Sequence, residues 1–232
     1  MGLITTLHLL GRTAELHVYA HEPLEKLILM NLDASQTVLR YPLVFHAIDP
    51  SAGEMVFSSK MATVTTIPLN HNFPVSGFII RERKSPPNIR KEFLEGRELS
   101  NLDYRRIKAG ADYIDPEGKV HANEDITRAP MPARAYAYCS DTAYHEPVIP
   151  LVSGVDLLYH EATFMEDRAA DAAAKFHSTA IQAATIAKKA GVKRLLLGHY
   201  SARYRDLEAL LAEARTVFPD TLLAQDGLVI EL

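Results

Sequence analysis

A single cysteine, Cys139, stands in the 232 residues. It excludes an internal disulfide and fits a reducing compartment, so the expected location is cytoplasmic. No apolar run approaches the roughly 18 residues that a membrane-spanning helix needs, which removes the membrane as a partner. The opening stretch, MGLITTLHLLGRTAELHVYA, has neither a basic n-region nor a small-residue cleavage site, so no signal peptide is expected. Positive charge is not in excess either. The 25 Lys and Arg face 29 Asp and Glu, a net charge of −4, which argues against a globally basic nucleic-acid binder and leaves room for a local basic patch. Internal repeats and low-complexity tracts are absent.

What is present suits a soluble globular chain: 47% apolar residues and 23% charged ones, enough core for one large domain or two small ones. The stretch 14–20 alternates like a half-buried strand, and 22–33 places apolar residues at helical spacing with Pro23 in the first turn. Strands are expected over 41–49, around EMVFSS and MATVTTIPLNH, and over 76–83. From Lys84 to about Asn123 the chain turns polar, with turn signals at Pro86–Pro87 and at DPEG. It reads there as an arm or insertion of about 84–123, not core, with helices near 88–97 and 101–109. Strands and helices then alternate: ARAYAYCSD, a helix in EPVIPLVSG, VDLLYHEAT, a helix in FMEDRAADAAAK, a helix from Ser178 as cap to Gly191, KRLLLGHYS, RDLEALLAEARTVF, and a last strand in TLLAQDGLVIEL. That alternation predicts a layered α/β fold, a single domain over 1–232 with the arm inserted.

Three of the expected strands run into chemically active residues: His71 in PLNHNFPVSG, Asp141 in YCSDT, and His199 one glycine after Leu197. In an α/β sheet such strand ends face one crevice, and two imidazoles with a carboxylate suit zinc or a similar cation. Gly198 lets the backbone come close to its neighbours. In YHEATF, His160 and Glu161 fall on opposite faces, so only one can enter the crevice. His177, in FHST, stands just before a helix start. Any one of the ten histidines is ordinarily a surface or satisfied core residue, so the weight rests on these residues meeting.

The motifs PLNHNFPVSGFIIRE, YCSDT, DLLYHEATF and FHSTAIQAATIAKKAGVKRLLLGHYSARY together resemble ribonuclease Z, the tRNA 3′-processing endonuclease family of the metallo-β-lactamase superfamily. The resemblance runs along nearly the whole chain and is densest over 136–204. It implies an αβ/βα sandwich, a homodimer, and a two-metal phosphodiesterase, usually zinc-dependent, acting on precursor tRNA. By the same resemblance Asp141 bridges two ions, His71 binds one and His199 the other, and Glu161 and His177 relay a proton to the leaving 3′-oxygen. Ser201 and Arg203 of SARY are weaker candidates for holding backbone phosphate.

The sequence departs from the family in two places. The family's His-x-His-x-Asp-His motif belongs ahead of the helix that opens here as MGLITTLHLLGR, and it occurs nowhere in these residues. The expectation is therefore an N-terminally truncated fold, short by about a quarter, that binds metal weakly and is inactive alone. The arm lacks the family's Gly-x-Pro element. Between Arg81 and Lys108 it instead carries nine Lys and Arg against five Asp and Glu. Arg90, Lys91, Arg97, Arg105, Arg106 and Lys108 are candidates for the tRNA backbone. Two other readings stay open: a superfamily hydrolase acting on small phosphodiesters or esters, and a non-catalytic truncated paralogue that binds RNA or a partner chain.

Overall fold

Helix α1 (Gly2–Leu9) leads into strand β1 (Leu16–Ala20), helix α2 (Glu22–Ala34) and strand β2 (Leu43–Ala47). In this computed structural model, which describes all of residues 1–232, β1 and β2 pair in parallel, Leu16 opposite Leu43, with α2 as the crossover that parallel strands require. Ile4, Ile28, Leu32 and Tyr41 close a small core between these elements, and the Tyr41 hydroxyl donates to the Ile4 carbonyl at 2.8 Å. Strands β3 (Met55–Ser58) and β4 (Ala62–Pro68) form an antiparallel pair, followed by β5 (Ser76–Glu82).

The chain divides into two units by its internal contacts, one of residues 1–80 with 135–232 and one of residues 81–134. The second unit holds β6 (Asn88–Ile89), α3 (Lys91–Leu94), α4 (Asn101–Lys108), β7 (Tyr113–Ile114), β8 (Val120–His121), α5 (Asn123–Ile126) and β9 (Thr127–Arg128), with β6 paired to β9 and β7 to β8. Its start and end are clipped together. The Glu82 N–H donates to the Arg134 carbonyl at 2.8 Å, and the Arg134 Nε donates to the Glu82 carboxylate at 2.9 Å. The Arg134 guanidinium and the Arg134 backbone N–H, both donating to the carboxylate, hold the Glu82 carboxyl down at about 2. The sequence suggests a coreless arm here, yet Phe93, Ile107, Tyr113 and Ile126 are buried together, with the Arg97 guanidinium over the Phe93 ring at 4.6 Å. Four apolar residues spread over short elements leave no periodicity to read. The helix expected over 88–97 shrinks to α3, because Asn88 and Ile89 are drawn into pairing with β9.

The first unit resumes with β10 (Ala135–Cys139), α6 (Val148–Leu151), β11 (Leu157–Glu161), a 3₁₀ turn (Glu166–Arg168), α7 (Ala169–Ala174), α8 (Ala180–Ala190), β12 (Arg194–Gly198), α9 (Glu208–Arg215) and β13 (Thr221–Leu223). One seven-stranded sheet runs in the order β13-β12-β11-β10-β5-β4-β3, and its β10 to β13 half is parallel. Helix α8 covers that half. Its Ala180, Ala183, Ala184, Ala187 and Ala190 recur at i, i+3, i+4 spacing and are buried, so a stripe of small side chains brings the helix close to the sheet. Beneath it lie Leu158, Leu195 and Leu197, all fully buried. Truncating one leucine of such a set to alanine costs about 2–5 kcal/mol.

Two boundaries differ from the sequence reading for local reasons. The cap of α8 is Thr179, which accepts from the Gln182 N–H in a capping box, and not Ser178, whose hydroxyl donates instead to the Thr142 carbonyl at 2.6 Å. The last strand stops at Leu223, and the chain turns at Gly227, where φ is +82°. Gly191 ends α8 in the left-handed conformation, as its residue type favours.

Candidate metal centre and acid–base pair

Parallel strands β10, β11 and β12 end side by side, and the residues just past their ends build the site. Asp141 lies two residues beyond β10. Glu161 is the last residue of β11. His199 follows Gly198, the last of β12. A Cβ at position 198 would collide with the Tyr159 ring, so only glycine lets that ring lie across the strand end. His177 arrives from the other side, in the turn between α7 and α8.

The backbone is strained at this place. Four non-glycine residues of the chain have positive φ, and three are here: Asp141 at 52°, Phe176 at 59° and His199 at 56°. Asp and His tolerate the left-handed region better than most residues, and Phe does not. The turns at Asp141 and Phe176 each precede an N–H aimed at the same acceptor. Thr142 N–H donates to Glu161 Oε1 at 2.8 Å and Ser178 N–H to Oε2 at 3.1 Å. Charge-assisted bonds of this kind offset the strain.

Glu161 is fully buried. Besides those two amides it accepts from the Thr163 N–H at 3.1 Å, the Thr163 hydroxyl at 2.6 Å and His177 Nδ1 at 2.8 Å. Five donors replace its hydration, which is what a buried carboxylate requires. Its neighbour His160 points the other way in sequence alternation, is also buried, and donates from Nδ1 to the Glu161 carbonyl at 2.8 Å. Burial lowers the His160 pKa and keeps that ring neutral.

Asp141 Oδ1 lies 2.9 Å from His199 Nε2. One ligand atom each from Asp141, His177 and His199 falls within 4.8 Å of the others. Two imidazoles and a carboxylate this close fit a borderline divalent cation in donor type and proximity. His71 is not in that converging set. Its ring centroid is 5.6 Å from that of His177 and 6.2 Å from that of Phe73, and its Nδ1 accepts from the Phe73 N–H at 3.3 Å. Ser201 and Arg203 pair with each other, Arg203 Nε donating to Ser201 Oγ at 3.0 Å, while the guanidinium lies 5.1 Å above the Phe164 ring. In the second unit Lys91, Arg97, Arg105, Arg106 and Lys108 are exposed. Arg90 is half-buried and donates from Nε to the Thr127 carbonyl at 2.9 Å. Sequence reasoning missed Thr142 and Thr163. Both sit inside quoted motifs, directly after Asp141 and two residues after Glu161, where a small hydroxyl residue beside an acid was the available signal.

A family model described as a beta-lactamase superfamily domain matches residues 127–200, which include Asp141, Glu161, His177 and His199. Ribonuclease Z of Bacteroides fragilis is 46% identical over 232 residues, all of this chain and 76% of that protein. The chain belongs to the ribonuclease Z family. Among solved structures, human tRNase Z, short form, is similar at a TM-score of 0.64 and 22% identity, over 99% of this chain and 72% of that one. A metallo-β-lactamase fold protein from Bacillus subtilis is similar at 0.61 and 19%, over 98% and 69%. The architecture, a mixed sheet layered with helices, is thus the metallo-β-lactamase fold; Asp141, Glu161 and His199 fall where its parallel strands end, and His177 joins them from the turn before α8. No helix is long and apolar enough to cross a membrane.

Proposed function

We propose that this chain acts in the zinc-dependent endoribonucleolytic cleavage of precursor tRNA at its 3′ end. The observation that carries the reading is the meeting of Asp141, His199, His177 and Glu161 at three strand ends, in a chain 46% identical to a ribonuclease Z over its whole length. Asp141, His199 and His71 are the residues proposed to hold divalent ions. Ions bound there would supply Lewis acidity and an activated water for attack on the phosphorus. The chain's own part is to move a proton. Glu161 holds His177 by Nδ1, which orients Nε2 toward the site, and from Nε2 a proton can pass to the leaving 3′-oxygen. Ser201 and Arg203 would steady a flanking phosphate. Residues 1–232 offer few ligands for two ions, so turnover is expected to depend on further ligands of the kind a His-x-His-x-Asp-His segment brings. The enzyme would work in the cytoplasm, as a homodimer whose pairing could cover the exposed Leu24, Leu27 and Met30 of α2.

The test is cleavage of a precursor tRNA carrying a 3′ trailer, by these residues alone and with such a segment joined upstream. Trailer release is expected from the second and close to none from the first. Hydrolysis of a small phosphodiester without tRNA cleavage would favour the broader superfamily reading. One observation supports a different role for His177: its ligand atom converges with those of Asp141 and His199. His177→Ala separates the two. The relay role expects about 10²–10⁴-fold slower turnover at unchanged metal content, and loss of metal makes His177 a ligand.

The second unit is proposed to hold the tRNA backbone. Its basic excess lies in the first half, since residues 81–134 as a whole carry twelve Lys and Arg against ten Asp and Glu. Arg90, Lys91, Arg105 and Arg106 are the main candidates, with Arg97 and Lys108 beside them. Removing 85–109 should weaken tRNA binding and flatten its salt dependence by about 0.9 in slope for each lost phosphate contact. An unchanged slope would move the binding surface elsewhere.

A further inference from the structure

The Thr163 hydroxyl has one hydrogen and three partners. Its Oγ1 lies 2.6 Å from Glu161 Oε2, 2.9 Å from the His199 carbonyl oxygen and 2.9 Å from His199 Nδ1. The first two partners can only accept, given that a carboxylate oxygen at 2.6 Å needs a hydrogen between the two oxygens. Whichever of them takes the hydrogen, none is left for His199. The contact with Nδ1 must then run the other way, with Nδ1–H donating to Thr163 Oγ1.

We propose that Thr163 is a positioning residue that fixes His199 in the Nδ1–H form and leaves the Nε2 lone pair for a metal ion. Its part in metal binding rests on the reading of His199 as a ligand; its part in the tautomer does not. Asp141 makes the device necessary. With its Oδ1 2.9 Å from His199 Nε2, Asp141 favours the opposite tautomer, in which Nε2 carries the hydrogen and cannot bind metal. The same Glu161 carboxylate also accepts from His177 Nδ1 through its other oxygen. One buried acid therefore orients two imidazoles, His177 directly and His199 through a hydroxyl, and both present Nε2. Second partners of this sort set ring orientation and ligand strength in metal sites.

The experiment is long-range proton–nitrogen NMR on the whole chain with ¹⁵N-labelled histidine, at a pH well above the ordinary histidine range, without metal and then with zinc alone. The parent chain is expected to show His199 with hydrogen on Nδ1 and bare Nε2, and zinc should shift Nε2 selectively. Thr163→Val should move His199 toward the Nε2–H form and weaken zinc binding about 10–100-fold, while Thr163→Ser restores both. An Nε2–H tautomer in the parent overturns the proposal without any variant, so a poorly folding Thr163→Val does not shelter it. So does a Thr163→Val chain that keeps both the Nδ1–H form and its zinc affinity. If zinc moves neither nitrogen while the Nδ1–H form persists and responds to Thr163→Val, the tautomer lock stands and the ligand assignment of His199 falls.

Discussion

Replacing Glu161 by alanine should damage the fold before it damages any reaction. The carboxylate is fully buried and satisfies three backbone amides, a hydroxyl and an imidazole. Each buried donor left without a partner costs about 1–3 kcal/mol. Water entering the vacated space would satisfy some of them, and Thr163 can turn its hydroxyl to the His199 carbonyl. A net loss of about 3–5 kcal/mol follows, the range measured for breaking buried charged networks. For a chain of this size each kcal/mol moves the melting point by about 2–4 °C, so a drop on the order of 10 °C is expected. The isosteric Glu161→Gln should also destabilise, by about 1–3 kcal/mol, since its amide NH₂ must face at least one donor whichever way it turns. With no tryptophan in the chain, the melt is best followed by far-UV circular dichroism, on metal-free protein so that metal loss does not contribute. If Glu161→Ala melts within about 2 °C of the parent, the five-donor network is not holding these loops and Glu161 is available for a purely chemical role.

Two further outcomes follow from buried groups on the same strands. His160 is held neutral by burial, so its folded pKa lies below the unfolded value of about 6.5; as pH falls through that value the unfolded chain takes up a proton that the folded chain declines, and stability should fall by up to about 1.4 kcal/mol per pH unit. His160→Gln should lose that slope in urea melts between pH 7.5 and 5, and an identical slope in both proteins would refute the assignment. Cys139 is fully buried and its thiol is pushed up to about 12; at pH 8 iodoacetamide should label it more than about 10³-fold more slowly than a free cysteine, because reaction waits on opening of the sheet, whereas labelling within a factor of ten would mean β10 is open to solvent.

The parallel half of the sheet was legible because its signals are local and repeated. Apolar runs such as Leu195–Leu197 stop abruptly at polar residues, and α8 shows helical spacing with Gly191 at its end. The site residues were legible as strand-end chemistry. What the sequence could not convey was the direction of the hydrogen bonds. Ser178 and Thr179 are equally good caps by residue type, and only the nearby Thr142 carbonyl draws Ser178 away. Thr163 carries no periodic signal, and its place depends on Glu161 and His199, the latter 36 positions distant. The core of the second unit was hidden for a related reason: Phe93, Ile107, Tyr113 and Ile126 come together across turns, where no repeat of 2 or 3.6 marks them.

The clip between Glu82 and Arg134 has a consequence for how such a chain can change over time. The segment between them leaves and returns through one pair of bonded residues, so its two ends are fixed at the spacing of neighbouring strands. Closing a longer or shorter excursion over so small a gap differs little in entropy, about 0.6 kcal/mol for each doubling of length. Segments of other lengths and compositions could therefore be exchanged at this port as cassettes, leaving the order of β10 to β13 untouched. The same port is a natural place to graft a reporter domain, with the clip kept as its seal.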